Sequence, residues 1–438
     1  MTSPTNPADP DDPSVADAAT LIAGQDSTML APTLHGPGAD PSAFDATIAA
    51  SSIGDPISRA PNPSITRTTV LPRVQFDGVA PSLVRTNLAR YQEGDLLGRG
   101  GLGEVLRAED NDIRRPVAIK RMLPGLDSPD ALARFIDEIR IVGRLEHPNI
   151  VPIHDVGLDE DGRYFFVMKY VEGETIESII EKLAAGDPAY HRKYSFERRA
   201  KLIVGVLEAL QYAHARGLLH RDIKPANIMV GPFGEVMLMD WGIAKRLGAS
   251  KGPASVAVAA EPERFAGTQV GSLIGTPAYM SPEQARGEED LDPRSDIYSL
   301  CVVFHELLCL EHYLSNRTSL ESLVSGVLTE APKHASFVPN PHQSRVPADL
   351  AWIAIGGLAK NPDERYPSVD AMLARIQRRL EGDIEVQCPV TFTKSVSMRW
   401  IHFFESHPLA GLAAILGAVL LVMGGVAAMG WQIWSAFS

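Results

Sequence analysis

The spacing of hydrophobic and polar positions along this chain changes near residue 175. Between 91 and 171, short apolar runs bounded by Gly, Asp and Pro predict strands at the glycine-rich stretch, 104–109, 115–122, 150–156 and 164–171. One segment breaks that pattern. Leu132, Phe135, Ile136, Ile139 and Leu145 recur at helical spacing over 129–145, and Pro148 is expected to stop that helix. Beyond Thr175 the spacing is helical. Leu202, Ile203, Val206, Leu207, Leu210 and His214 share a face, with Gly217 as the C-terminal stop. Ser281-Pro282-Glu283-Gln284 spells a helix start, with Ser as N-cap, Pro in the first turn and Gln reaching back. Further helices are predicted at 297–310, 348–359 and 368–380, with a proline-broken loop at 331–346. The pattern is α+β and bilobal: a β-rich lobe with one long helix (91–170), then a helical lobe (174–380). A cleft is expected at the linker, 168–173.

The two ends differ from this middle. Residues 1 to about 80 are rich in Pro, Ser, Thr, Ala and Asp, with nine acids and three Arg but no Lys. Such a composition buries too little apolar surface to offset the entropy of ordering, so 1–85 is expected to be a disordered spacer. At the other end no Asp, Glu, Lys or Arg follows Glu405. Residues 409–429 alone would span about 31 Å as a helix, enough for a bilayer core. The expectation is a juxtamembrane linker (381–407), a transmembrane helix (408–431) flanked by Trp431 and Trp434, and a short extracytoplasmic tail (432–438). Lys394 and Arg399 precede the span and no basic residue follows. The positive-inside bias therefore predicts a single-pass protein of the inner membrane with its N-terminal mass cytoplasmic. Small residues at Ala410, Ala414 and Ala418 would let two such helices pack as a homodimer.

Bulk composition narrows the partners. At 438 residues the chain exceeds one ordinary core. A formal charge of −13 and a pI near 5.4 argue against nucleic acid as the main partner. Cys301, Cys309 and Cys388 have no metal-ligand spacing and read as reduced thiols. The amino terminus lacks a basic n-region and an early apolar core, its first Arg being Arg59, so no cleaved signal peptide is expected.

Candidate chemistry concentrates in His220-Arg221-Asp222-Ile223-Lys224-Pro225-Ala226-Asn227, followed by Asp240-Trp241-Gly242. These put a carboxylate, an ammonium and an amide within six residues, and a hairpin-like stretch at 229–239 would bring a second carboxylate beside them. Moving a phosphoryl group from ATP to a hydroxyl needs that set: a base, a cation for the moving charge, and oxygen ligands for Mg²⁺. Upstream stand Gly98-Arg99-Gly100-Gly101-Leu102-Gly103-Glu104-Val105 and Val117-Ala118-Ile119-Lys120. A lone glycine triplet also serves dinucleotide-binding folds, where a helix follows it. Here a strand follows, and Lys120 comes 17 residues later in a second strand.

Over 91–380 these motifs together resemble the eukaryotic-like serine/threonine protein kinases of bacteria, in the style of single-pass receptor kinases but with almost no extracellular portion. The resemblance implies ATP and Mg²⁺ (or Mn²⁺) as cofactors and protein Ser/Thr hydroxyls as acceptors. It implies Asp222 as the base, Lys224 as the charge stabiliser, and Asn227 and Asp240 as metal ligands. Lys120 would hold the nucleotide phosphates while paired with Glu138. Leu97, Gly98, Gly100, Gly103, Val105, Ala118 and Met229 would enclose the nucleotide, with Met168 as gatekeeper and the backbone of Lys169 and Val171 at the adenine edge. His220 and Arg221 would be architectural and regulatory. Thr276 would contact Asp222 and Lys224, Glu283 would pair with Arg365, and Asp296 would brace the catalytic loop. Thr268 and Ser272 are the expected autophosphorylation sites of a long activation segment, 240–283. Two other readings are a non-catalytic scaffold and a small-molecule phosphotransferase. The intact Lys120, Asp222, Asn227 and Asp240 oppose the first, and the peptide platform at 275–283 opposes the second.

Overall fold

The computed structural model describes residues 68–76, 81–84, 88–126, 128–241, 245–246 and 277–437. The expectations for 1–67, and those for Thr268, Ser272 and Thr276, lie outside the described residues. Within the stretch whose composition predicted disorder, β1 (Arg73–Phe76) and β2 (Pro81–Val84) form an antiparallel hairpin. Its approach is anchored by Asp112, whose Oδ1 accepts the backbone N–H groups of Val70 and Leu71 at 2.8 and 3.0 Å. Local composition gives no sign of this, because the anchor lies 42 residues downstream of Val70.

The first lobe is a five-stranded antiparallel sheet of β3 (Tyr91–Arg99), β4 (Gly103–Asp110), β5 (Arg115–Met122), β6 (Ile153–Leu158) and β7 (Tyr164–Lys169), in the order β3-β4-β5-β7-β6. Alternation along β5 sorts its side chains. Val117 and Ile119 pack with Ala108 and Val167 on one face. Ala118, Lys120 and Met122 point to the other, where Met122 meets Phe135 and Phe166. Phe135 belongs to α1 (Pro129–Val142), which Ser128 caps by accepting the Ala131 N–H at 3.2 Å. That helix stops earlier than the expected 145. Gly143, a poor helix former, turns its N–H to Ile139 O, and Leu145 N–H bonds Val142 O in a tightened turn, so Pro148 falls outside the helix altogether.

After β8 (Glu174–Thr175) the chain is helical: α2 (Ile176–Ala184), α3 (Pro188–Lys193) and α4 (Phe196–His214). The short strands β9 (Leu218–Leu219), β10 (Ile228–Val230), β11 (Val236–Leu238) and β12 (Lys245–Arg246) follow. The chain then runs through α5 (Pro282–Ala285), α6 (Pro293–Cys309), α7 (Leu320–Thr329), α8 (Ala348–Ile355) and α9 (Val369–Leu380). α4 and α6 form the centre of the core, burying Ile203, Val206, Leu207 and Leu210 against Leu300, Val303, Phe304 and Leu307. Cys301 and Cys309 are buried there as free thiols, their pKa values pushed up to about 12 by burial. Arg199 lies in this core with no carboxylate partner among the described residues. It donates to Tyr194 O, Leu307 O and Gln343 Oε1 at 3.0, 3.1 and 2.7 Å, so it ties α4 to the last turn of α6.

The linker after the helical lobe is not irregular: α10 (Pro389–Ser406) occupies most of it, and α11 (Pro408–Phe437) follows. Among the residues whose side chains are described no helix is long and apolar enough to cross a membrane, and the side chains of 409–415 in α11 lie outside them. The backbone of α11 nonetheless runs unbroken for 30 residues, longer than the expected 408–431, and its sequence contains no charged residue.

Ser281 and Gln284 form the expected capping box at the start of α5. The same turn presents Glu283 to Arg365, whose two terminal nitrogens donate to the two carboxylate oxygens at 2.7 and 2.8 Å, while Ser295 Oγ donates to Glu283 Oε1. Both partners are buried. Removing one leaves an uncompensated charge in the interior, so Arg365→Met is expected to lower unfolding stability by about 3–5 kcal/mol. Denaturant unfolding checks this, and a loss comparable to a surface substitution would refute the pairing.

Candidate active site

Two groups of polar side chains meet where the lobes join. The first centres on Lys120. Its position on β5 points it toward α1, and Nζ donates to Glu138 Oε1 at 2.6 Å and to Asp240 Oδ1 at 2.8 Å. Glu138 is buried, while the Asp240 side chain is half-exposed at 46%. Burial works against the Lys120 ammonium, but the Asp240 and Glu138 carboxylates raise its pKa and keep it charged. Burial would raise Asp240 too; Lys120 overrides it and holds the carboxyl below the usual range. Glu138, deeper in the protein, is lifted by burial against the opposing pull of Lys120. Glu138 Oε2 has no hydrogen-bond partner among the described residues.

The second group lies on the loop from β9 to β10. Asp222 Oδ2 accepts from Lys224 Nζ at 2.9 Å and from Asn227 Nδ2 at 3.1 Å, and that same nitrogen donates to Asp222 O at 2.9 Å. With its amide nitrogen so used, Asn227 offers its Oδ1 to a ligand. The hairpin of β10 and β11 ties the two groups together: Met239 N–H donates to Asn227 O at 2.9 Å, one residue before Asp240.

A buried scaffold holds this loop. Asp296 at the start of α6 accepts the backbone N–H groups of His220 and Arg221 at 2.9 and 2.8 Å, and His214 Nε2 lies 2.8 Å from its Oδ2. Burial would raise the Asp296 carboxyl, but these bonds and the facing histidines lower it, so it stays ionised. His220 is fully buried, which lowers its pKa. Its Nε2 is 3.0 Å from Met239 O, and its ring meets Trp241 edge-on at 4.5 Å. Gln284 of the capping box reaches Arg221 O at 2.8 Å. Arg221 and Asp240 both adopt positive φ, 71° and 62°, a sparsely populated region for such residues.

The residues expected to enclose a nucleotide divide by depth. Ala118 and Val171 are buried, Val105, Met168 and Met229 are half-buried, and Leu97 is largely exposed beside the glycine turn. Val151, Val171 and Met237 pack together with Met168, Met229 and Met239 as an apolar floor. The Lys169 side chain is exposed, and its N–H donates to Pro152 O at 3.1 Å.

Sequence reasoning does not anticipate the direct Lys120–Asp240 contact, the His214–Asp296 contact or the reach of Gln284 to Arg221 O. It read His214 only as part of a helix face; the partner that uses it, Asp296, is 82 residues away. Nor does the sequence mark Asn149, one residue beyond Pro148. It joins the lobes by donating from Nδ2 to Val236 O at 2.8 Å and accepting Leu238 N–H at its carbonyl.

The glycines of this turn are not equivalent. A Cβ on Gly103 would lie 2.7 Å from Arg121 O on the neighbouring strand, whereas one on Gly98 would meet nothing within 4 Å. Gly103→Ala is therefore expected to destabilise the sheet by about 1–3 kcal/mol. Gly98→Ala should leave stability within about 0.5 kcal/mol and act only on nucleotide affinity. Thermal unfolding beside nucleotide titration separates the two, and equal destabilisation would contradict the assignment.

Comparison with known proteins agrees with this geometry. A family model for the protein kinase domain matches residues 91–375. A probable serine/threonine-protein kinase of Streptomyces coelicolor is 35% identical over 297 residues, which is 67% of this chain and 40% of that protein. The serine/threonine-protein kinase PknD of Protochlamydia amoebophila is 33% identical over 334 residues, 74% of this chain and 33% of the relative. PknB of Mycobacterium tuberculosis is 34% identical over 298 residues, 67% and 43% respectively. The aligned region thus spans less than half the length of these relatives.

Proposed function

The chain belongs to the protein kinase domain family, and from that premise we propose that it transfers the γ-phosphoryl group of ATP to Ser and Thr hydroxyls of other proteins. The observation that carries this reading is the convergence of Lys120, Glu138 and Asp240 with Asp222, Lys224 and Asn227 at one cleft. Two carboxylates around one ammonium leave an excess negative charge. A divalent cation fits there, and the carboxylate of Asp240 with the carbonyl of Asn227 are the hard oxygen donors that suit Mg²⁺ or Mn²⁺. When bound with ATP, the metal supplies charge neutralisation on the β- and γ-phosphates.

The chain's own groups do the rest. Lys120, positioned by Glu138, holds the nucleotide phosphates. Asp222 receives or orients the acceptor hydroxyl proton, and Lys224 beside it offsets negative charge on the group in transit. The apolar floor under Met168 and Met229 takes the purine, with backbone groups of Lys169 and Val171 at its edge. Arg221 suits a regulatory role: its Nε is buried with no partner among the described residues. Burial lowers its pKa against the pull of Asp296, yet it remains a cation available to a phosphate on the activation segment. Thr268 and Ser272 are the proposed sites of that phosphate, and Thr276 the proposed contact of Asp222 and Lys224.

We propose further that α11 crosses the inner membrane once and keeps the kinase domain on the cytoplasmic side. Its 30 residues amount to about 45 Å of helix, and Lys394 and Arg399 stand on the side of the kinase domain. The full chain should resist alkaline carbonate extraction from membranes; release with the soluble fraction would reject the span.

Asp222→Asn is expected to lower the transfer rate by about 10²–10⁴-fold while leaving ATP affinity in place. Radiolabelled ATP with a protein acceptor measures it. Undiminished transfer, or transfer to small alcohols alone, would overturn the reading. In the same samples, mass spectrometry should find phosphate on Thr268 or Ser272 of the active protein and on neither in Asp222→Asn.

A further inference from the structure

The helix α10 has two contrasting sides. One faces the helical lobe: Thr391 and Ser395 are buried, and Lys394 Nζ donates to Asp349 Oδ1 at 2.9 Å. Asp349 also accepts from Arg379 Nε at 2.6 Å, so α8, α9 and α10 share one carboxylate. A Cβ on Gly382 would sit 3.0 Å from the Met398 methyl, which marks the close approach of α10 to the turn after α9. The other side is apolar. Phe392, Val396, Trp400 and Phe404 recur every four residues, which places them on one stripe, and about half a turn separates that stripe from the lobe-facing seam. Phe392 is 56% exposed and Trp400 53%, with Val390 and Ile401 exposed beside them. The Trp400 and Phe404 rings lie 5.8 Å apart. No acidic residue interrupts the stripe.

We propose that α10 lies in the interface of the bilayer crossed by α11, with this stripe inserted at the boundary between headgroups and acyl chains. The inference rests on the membrane span proposed above. A single residue, His407, separates Ser406 from Pro408, so the chain cannot carry α10 far from the point where α11 enters the bilayer. Trp400 is eight residues before Pro408, about 12 Å along a helix. An aromatic and aliphatic face at that distance from a span, backed by a polar face that a protein lobe satisfies, has the chemistry of an interfacial helix. Because Lys394 and Met398 fix α10 to the lobe, the helical lobe takes a set orientation at the membrane surface and does not swing on a flexible tether.

The test uses the full chain with Cys388→Ser, leaving only the buried Cys301 and Cys309, in vesicles of phosphatidylcholine and phosphatidylglycerol. Nitroxide labels are placed by Phe392→Cys, Val396→Cys, Leu420→Cys and Glu381→Cys, and accessibility to oxygen is compared with that to a water-soluble nickel chelate. Leu420→Cys should read deepest and Glu381→Cys aqueous, with the two stripe positions about 5–10 Å below the phosphates. Aqueous readings at 392 and 396 with a deep reading at 420 would overturn this inference and leave the span standing. An aqueous reading at 420 would reject the span itself, and this inference with it. Spin–spin broadening at 392 and 396 without lipid depth would mean that a second copy covers the stripe, which also overturns it. Introducing Val396→Glu and Trp400→Glu should abolish the depth reading at 392 while phosphorylation of a soluble peptide is unchanged.

Discussion

The ammonium of Lys120 is the contact on which the site depends. It reaches a carboxylate on α1 and another just beyond β11, so one charge links the sheet, its single long helix and the helical lobe. In a half-buried cleft such a charge must be paired, since an unpaired ammonium there would neutralise or draw in water. Moving α1 by a few ångströms would break the Glu138 contact and leave its buried carboxylate alone. The position of α1 is therefore coupled electrostatically to the competence of the cleft.

The loop that carries Asp222 meets a different constraint, set from below. Asp296 is buried, ionised and committed to two backbone N–H groups and a histidine. Those bonds help to hold Arg221 in a left-handed conformation that an arginine rarely adopts, and β10 with β11 closes the loop on the side of Asp240. Two of the four described non-glycine residues with positive φ, Arg221 and Asp240, thus carry backbone strain beside Asp222 and at the second carboxylate. The hydrophobic core of α4 and α6 supplies the stability against which that strain is set. Glu283 and Arg365 extend the same logic to α5, fixing it beside the loop through a buried pair and a capping box whose Gln284 touches Arg221 O.

The carboxyl-terminal helices connect this machinery to its proposed setting. Asp349 joins α8, α9 and α10 through Arg379 and Lys394. A segment that read as a linker is thereby part of the lobe's surface, and it leads directly into the charge-free α11.

The Lys120–Glu138 pairing came through the resemblance; from the residue order alone came the two lobes, the strand and helix periods, the capping box at Ser281, and the set Asp222, Lys224, Asn227 and Asp240. These were legible because periodicity and short motifs are local properties that side-chain type and spacing encode directly. The Glu283–Arg365 pair was also expected, but through resemblance and not from spacing. What only the tertiary structure decided were contacts between residues far apart in the chain. The Lys120–Asp240 bond spans 120 positions, the His214–Asp296 bond 82, and the docking of Val70 on Asp112 42. The helical linker α10 was missed for the same reason: its polar seam makes sense only once Asp349 is seen beneath Lys394. The physical cause is common to all. A polar side chain's partner depends on where the folded backbone places it, and spacing along the chain carries no record of that.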